Sequence, residues 1–94
     1  NLYFRQSNHK NIADKKITYF LDFIRIKYSL KTLQLNDELV KQLSEKSAID
    51  VIELRKLFKL INLVSVSTSI KKETLLELNN QIENFYTKTG AYGK

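Results

Sequence analysis

The sequence predicts an all-α fold, a four-helix single domain with a helix-turn-helix-like corner. Apolar residues recur at helical spacing in four separate stretches. Proline is absent and both glycines, Gly90 and Gly93, lie at the C-terminal end, so the interior lacks the strongest helix breakers. Asp50 and Glu53 form a D-x-x-E helix start between two of the stretches. A chain of 94 residues forms one modest core.

The first eight residues, NLYFRQSN, resemble a tobacco-etch-virus protease tag site, with Arg5 inserted between Phe4 and Gln6. We interpret residues 1–8 as an expression-tag remnant and leave them out of the fold and the function. The helical domain is predicted over residues 9–88. Residues 89–94 are predicted to be a flexible tail, because its two glycines stop a helix.

The first helix is predicted from about Ala13 to Tyr28. Its apolar residues follow a helical stripe: Ile17, Phe20, Leu21, Ile24 and Tyr28. Tyr19, Phe23 and Ile26 widen this stripe. A helix that is apolar over most of its circumference either lies at the centre of the core or shares its surface with a partner.

A connection of mixed polarity follows, and Leu33 and Leu35 are predicted to lie buried beneath it. Asn36 or Asp37 can cap the second helix, because their side chains accept hydrogen bonds from free backbone N–H groups. This helix is predicted to end near Lys46. Its short apolar face consists of Leu39, Val40 and Leu43.

The third helix is predicted to start at Val51. Asp50 would accept from a first-turn amide, while Glu53 would reach back to the amide of the cap residue. The core face repeats at helical spacing: Leu54, Leu57, Phe58, Ile61 and Val64. Leu60 and Leu63 extend the apolar surface sideways.

The fourth helix follows a polar, β-branched break at residues 65–69, which is predicted to be a loop. It is predicted from about Lys71 to Thr87. One stripe carries its apolar side chains: Leu75, Leu78, Ile82, Phe85 and Tyr86.

The stretch Leu43–Phe58 has the outline of a helix-turn-helix. Five positions match the small and apolar residues of such units: Leu43, Ser44, Ala48, Ile49 and Leu54. Ala48 replaces the usual turn glycine, and a Cβ in the left-handed conformation costs about 1 kcal/mol. The turn is therefore expected to differ from that of a DNA reader.

The outward first turn of the third helix argues against reading DNA. Val51, Ile52 and Glu53 are two apolar groups and a carboxylate, whereas base edges and phosphates need hydrogen-bonding and basic groups. Basic residues come only later in this helix, at Arg55, Lys56 and Lys59. We expect a helical corner that packs, with DNA binding as the alternative.

The chain is basic, with a formal net charge of +6. Such a balance suits nucleic acid, an anionic membrane surface or an acidic protein, and it is also common in plain globular domains. No apolar run reaches the roughly 18 residues that span a bilayer. The Lys15–Lys16 pair, ahead of the apolar stripe of the first helix, fits a position just cytoplasmic of a span outside this sequence.

Residues for catalysis are mostly missing. There is no cysteine, which fits a reducing compartment, and the single histidine, His9, is predicted to be a solvated terminal residue. This leaves neither a metal cluster nor a nucleophile–histidine pair. The glycines cannot form a phosphate loop, and the carboxylates at Asp37 and Asp50 fit helix caps. We predict no enzyme activity, no cofactor, no metal and no small-molecule ligand.

Three stretches together resemble a known family: KKITYFLDFIRIKYSL, LNDELVKQLSEKSAID and ETLLELNNQIENFY. They look like the cytoplasmic C-terminal segment of a bacterial membrane-protein family of unknown function. The resemblance implies an extracytoplasmic part and a membrane span before this segment, and genes beside MoxR-type ATPases. It implies no active-site residues.

The sequence favours a non-catalytic, cytoplasmic protein-interaction domain of a membrane-anchored protein. Its predicted contact surface is the surplus apolar face of the first and third helices, at Tyr19, Phe23, Ile52 and Leu60. The partner is another protein or a second copy in a homodimer. The alternative is a DNA-binding helix-turn-helix module that uses Arg55, Lys56 and Lys59.

Overall fold

The computed structural model describes residues 6–90, which form four α-helices. They are α1 (Gln6–Tyr28), α2 (Asp37–Ser47), α3 (Val51–Val66) and α4 (Lys72–Thr89). No strand occurs within this range. The predicted all-α, four-helix fold is confirmed, including the corner between the second and third helices.

The first helix begins earlier than predicted, at Gln6 instead of about Ala13. His9 lies one turn before Ala13 and continues its buried stripe. The ammonium of Lys10 donates to the carbonyl of Val64, 2.6 Å away at the end of α3. A contact with a distant part of the chain thus stabilises the polar first turns of α1, which have no extended apolar stripe of their own.

The earlier helix start includes part of the predicted tag remnant. Residues 6–8, assigned to the tag remnant, belong to α1, while residues 1–5 lie outside the described part. Lys15 and Lys16 were expected ahead of the apolar stripe of the first helix, and both lie inside α1.

The connection between α1 and α2 differs from the prediction in one residue. Leu33 is 95% exposed, so its predicted burial is wrong, and Leu30 is buried instead. Leu35 packs partly against the core, as predicted. Asn36 caps α2, since its side chain accepts a 3.1 Å hydrogen bond from the amide of Leu39.

The last two helices extend beyond their predicted ends. α3 includes Ser65 and Val66, which were assigned to the loop, and ends where the amide of Ser67 donates to the Val64 carbonyl. α4 continues to Thr89, so the predicted tail starts too early.

Gly90 then ends α4 in the left-handed conformation, with φ +77°. The rest of the predicted tail, residues 91–94, lies outside the described residues.

Phe20 marks the centre of the core. Its ring lies edge-on to Phe58 of α3 and Phe85 of α4, with centroid distances of 6.3 and 5.0 Å. The N-terminal half of α1 meets the C-terminal end of α3, and Glu53 at the start of α3 meets Lys88 near the end of α4. α3 is therefore antiparallel to both α1 and α4, which run in the same direction.

Candidate interaction surface

The packing of the corner between α2 and α3 agrees with the sequence pattern, whereas the conformation of its turn differs from the expectation. The apolar plugs Leu43, Ile49 and Leu54 are all buried. Ala48 adopts the left-handed conformation, with φ 64°, and its amide donates to the Ser44 carbonyl. The expectation that alanine would alter the turn is wrong, because alanine takes the conformation that glycine usually supplies.

The first turn of α3 is held by its cap residue. The Asp50 carboxylate accepts hydrogen bonds from the amides of Ile52 and Glu53. The Glu53 side chain was expected to reach back to the cap residue, but it does not. It accepts hydrogen bonds from the side-chain amide of Asn84 at 2.9 Å and from the Lys88 ammonium at 2.7 Å. This contact joins α3 to α4.

Fewer apolar side chains of this first turn face solvent than predicted. Val51 packs partly against the core, so it does not point outward. Ile52 is 58% exposed, as expected. The start of α3 therefore offers one apolar side chain to solvent and no basic one.

The four predicted contact residues do not behave alike. Tyr19 and Ile52 are exposed. Leu60 is half-buried against the core. Phe23 contacts Tyr86 of α4, with ring centroids 5.1 Å apart, and the ammonium of Lys27 lies over the Phe23 ring, 5.6 Å from its centroid. Phe23 is thus largely used within the domain, and Tyr19 and Ile52 remain available to a partner.

Two residues of α3 outside the predicted contact set are also exposed. Leu63 is 58% exposed and Val66 is 81% exposed. With Ile52 they follow one line along α3, together with two lysines. We call this line the outer stripe of α3: Ile52, Lys56, Lys59, Leu63 and Val66. Val66 was missed because its neighbourhood resembled a loop, although the helical spacing continues to it.

The predicted basic residues of α3 differ in their ion pairing. The guanidinium of Arg55 lies 3.2 Å from the Asp37 carboxylate at the start of α2. Lys56 and Lys59 are exposed, and neither pairs with a carboxylate among residues 6–90. The two free positive charges lie on the outer stripe, and the paired one lies beside it.

His9 is buried, which corrects its prediction as a solvated residue. It is only 4% exposed, and neither ring nitrogen has a hydrogen-bond partner in the described part of the chain. It lies on the same buried face of α1 as Ala13 and Ile17. Within residues 6–90 no group of three or more histidines and carboxylates is placed to hold a metal.

An open groove of about 590 Å³ lies between the α1–α2 connection and α2. Its walls combine the apolar side chains of Leu30 and Leu33 with charges of both signs, among them Lys31 and Glu45. No single chemistry dominates this lining, so the groove indicates no particular ligand.

None of the helices within residues 6–90 is long and apolar enough to cross a membrane. No curated protein and no solved structure matches the chain significantly. The family model described as DUF4350 C-terminal helical domain matches residues 1–89. This match covers nearly the whole chain and agrees with the all-helical fold, and the chain therefore belongs to the DUF4350 C-terminal helical domain family.

Proposed function

We propose that this chain is a non-catalytic protein-interaction domain and that the outer stripe of α3 is its contact surface. One observation carries the proposal: Ile52, Leu63 and Val66 remain exposed on a helix whose opposite face is fully used by the core. Large exposed aliphatic side chains in a line commonly mark a surface that a partner covers.

Burial of these side chains would favour association. Fully burying one aliphatic side chain is worth about 1.5–3 kcal/mol. Leu54, Leu57 and Ile61 on the opposite face already complete the packing of α3 against the rest of the domain. The exposed aliphatics therefore contribute little to folding, and covering them stabilises a complex.

The proposal includes a cytoplasmic position in a membrane-anchored protein. The resemblance of the sequence to membrane-protein C-terminal segments supports this part, as do the positive charges of Lys15 and Lys16. The anchor would be a segment outside residues 6–90, because no described helix can cross a bilayer. A gene neighbourhood with MoxR-type ATPases is a further prediction of the same resemblance.

Site-specific photo-crosslinking in the cells that make this protein tests the proposal. A photoreactive phenylalanine at Leu63 is expected to capture another protein, whereas the same group at exposed Asn80 of α4 serves as the control. A crosslink at both positions, or at neither, contradicts the proposed surface. A crosslink from Leu63 to a second copy of the chain indicates a homodimer instead.

DNA binding is the second candidate function. The left-handed turn at Ala48 and the unpaired Lys56 and Lys59 favour it. Against it stand the ion pair of Arg55 with Asp37 and the apolar Ile52 at the start of α3. A mobility-shift assay on duplex DNA decides: binding must weaken steeply as salt rises and must be lost in K56S/K59S. No shift at low salt eliminates this candidate.

A further inference from the structure

We propose that the outer stripe of α3 binds an acidic amphipathic helix of a protein partner. This inference rests on the proposed function and adds to it the chemistry of the partner. It is carried by the combination of spacing and charge on this one stripe: two lysines without an ion pair among the described residues lie between exposed aliphatic residues, and no carboxylate lies among them.

The spacing of the stripe is that of a helix–helix seam. Its members follow one another at steps of four, three, four and three residues: Ile52, Lys56, Lys59, Leu63 and Val66. The mean spacing between neighbouring stripe residues is about 3.5 residues, which is the spacing of the seam between two helices of a coiled coil. The four-turn length of α3 allows a partner helix to contact all five side chains.

The charge of the stripe calls for carboxylates on the partner. Two carboxylates at the N-terminal ends of α2 and α3 are already engaged: Glu53 with Lys88 of α4, and Asp37 with Arg55. Asp50 caps the helix through two amides. Lys56 and Lys59 consequently keep their positive charge uncompensated within the described residues, and a partner that buries the stripe must supply the counter-charges.

The distribution along α3 also gives the partner a direction. Lys56 lies in the first half of α3 and Lys59 directly follows its midpoint, so the uncompensated positive charge lies N-terminal to Leu63 and Val66. The second half of the stripe contains only Leu63 and Val66. The complementary helix carries its carboxylates opposite the first half and aliphatic side chains opposite the second.

Two other occupants fit this stripe less well. If a second copy packed its stripe antiparallel to this one, Lys59 at the middle would meet Lys59 of the other copy, and like charges repel. An anionic membrane surface favours basic side chains at the edges of an apolar face. Here the lysines lie between Ile52 and Leu63, where insertion of the aliphatic residues would draw both ammonium groups toward the acyl chains.

Fluorescence anisotropy with a defined peptide tests the inference. The probe is a labelled three-heptad peptide with Leu at its seam positions and Glu at two neighbouring seam positions. The control peptide has Lys in place of both Glu. We expect the acidic peptide to bind at least about tenfold more tightly than the basic one, a difference typical of complementary charge pairs.

Matched variants assign the binding to the stripe. K56S/K59S is expected to weaken acidic-peptide binding about tenfold, and I52S/L63S at least as much. The controls K15S/K41S and I26S alter exposed lysines and an exposed isoleucine elsewhere, and should leave affinity within about twofold. All changes lie on the surface, and unchanged helical circular dichroism verifies that each variant folds.

The possible results separate this inference from the proposed function. Equal affinity for both peptides, or affinity for neither, overturns the acidic-helix inference. So does stripe-dependent binding to phosphatidylglycerol vesicles or duplex DNA without binding of the acidic peptide. If Leu63 nevertheless crosslinks to another protein in cells, the proposed function stands and only the partner chemistry is wrong. If Leu63 crosslinks to nothing, the proposed function fails by itself.

Discussion

Ala48 is the residue at which the chain leaves α2 and turns toward α3. Its amide donates to the Ser44 carbonyl at 2.9 Å, and the Ser44 hydroxyl donates to the Ile49 carbonyl at 2.5 Å. These hydrogen bonds, together with the burial of Ile49, hold a conformation that is unfavourable for a residue with a Cβ. The corner therefore stores a small backbone strain at one identifiable position.

Removing the Cβ of Ala48 should relieve this strain. We expect Ala48→Gly to raise the free energy of unfolding by about 0.5–1 kcal/mol, because glycine adopts positive φ without steric cost. Urea denaturation measures the change. Lys41→Gly, at an exposed helical position of α2, is the matched control and should lower stability by about 1 kcal/mol. The same sign for both substitutions would contradict the assigned strain.

His9 presents the opposite situation, a buried polar ring whose two nitrogens have no hydrogen-bond partner within residues 6–90. Replacing an unsatisfied buried group with an apolar one removes its desolvation cost. We therefore expect His9→Leu to raise the free energy of unfolding by about 1 kcal/mol, whereas His9→Asn, which keeps the polarity, should not. A loss of stability in His9→Leu, measured by urea denaturation, would indicate that the imidazole has a partner after all.

At the scale of the helices, local signals determined the accurate predictions. Asn36 and Asp50 mark the starts of α2 and α3 by hydrogen bonds within three residues, and such short-range chemistry is visible in the sequence. The start of α1 depends instead on Lys10 reaching Val64, 54 positions away. No local pattern reports a contact of that range, so the beginning of α1 was predicted about two turns too late.

Which side chains of a helix are exposed was harder to predict from the sequence than where the helix begins. Tyr19 and Phe23 both widen the apolar stripe of α1, and both were predicted as contact residues. Only the position of α4 decides that Phe23 packs against Tyr86 while Tyr19 stays exposed. Of the predicted contact residues, Ile52 is exposed and Leu60 is half-buried, while the exposed Val66 was not among them.

At the C-terminal ends of α1 and α4, the phenol of Tyr28 makes the stability of the fold depend on pH. Burial raises the pKa of the Tyr28 phenol above its ordinary value, and a hydrogen bond with the Thr89 side chain partly offsets the rise. A raised pKa means that the folded state holds this proton more firmly than the unfolded chain does. The stabilisation is complete below about pH 10 and is lost as the pH rises through the folded pKa.

Tyr28→Phe tests this link between α1 and α4. Phenylalanine keeps the ring and has no ionisable hydroxyl, so the variant should lose less stability than the wild type between neutral pH and about pH 11. Urea midpoints across that range measure the difference. Parallel pH profiles for the two proteins would show that Tyr28 does not contribute to the alkaline loss.

At the scale of the whole molecule, Phe20 connects three of the four helices. Its ring contacts Phe58 and Phe85 and is fully buried. We expect Phe20→Ala to lower the free energy of unfolding by about 3–5 kcal/mol, enough to unfold much of a small domain. The neighbouring Tyr19→Ala changes an exposed ring and should cost less than about 0.5 kcal/mol. Comparable losses in thermal unfolding would contradict this central position.

The fold class could be predicted from the sequence because all four helices carry their own periodic apolar faces. The packing order could not, since periodicity shows that a face is buried and not what buries it. The lysines of the outer stripe illustrate the same limit: the sequence shows that Lys56 and Lys59 are basic, but only the fold shows that Glu53 and Asp37 are engaged elsewhere.

The shared direction of α1 and α4 has a mechanical consequence. α1 begins at one end of the domain and α4 ends at the other, where Tyr28 lies beside Thr89. A pulling force applied at Gln6 and Gly90 would slide the two helices past each other along their length. The many weak contacts between their side chains, including those of Phe20 and Phe23, would then resist together instead of opening one after another. The domain is thus arranged to carry tension in shear.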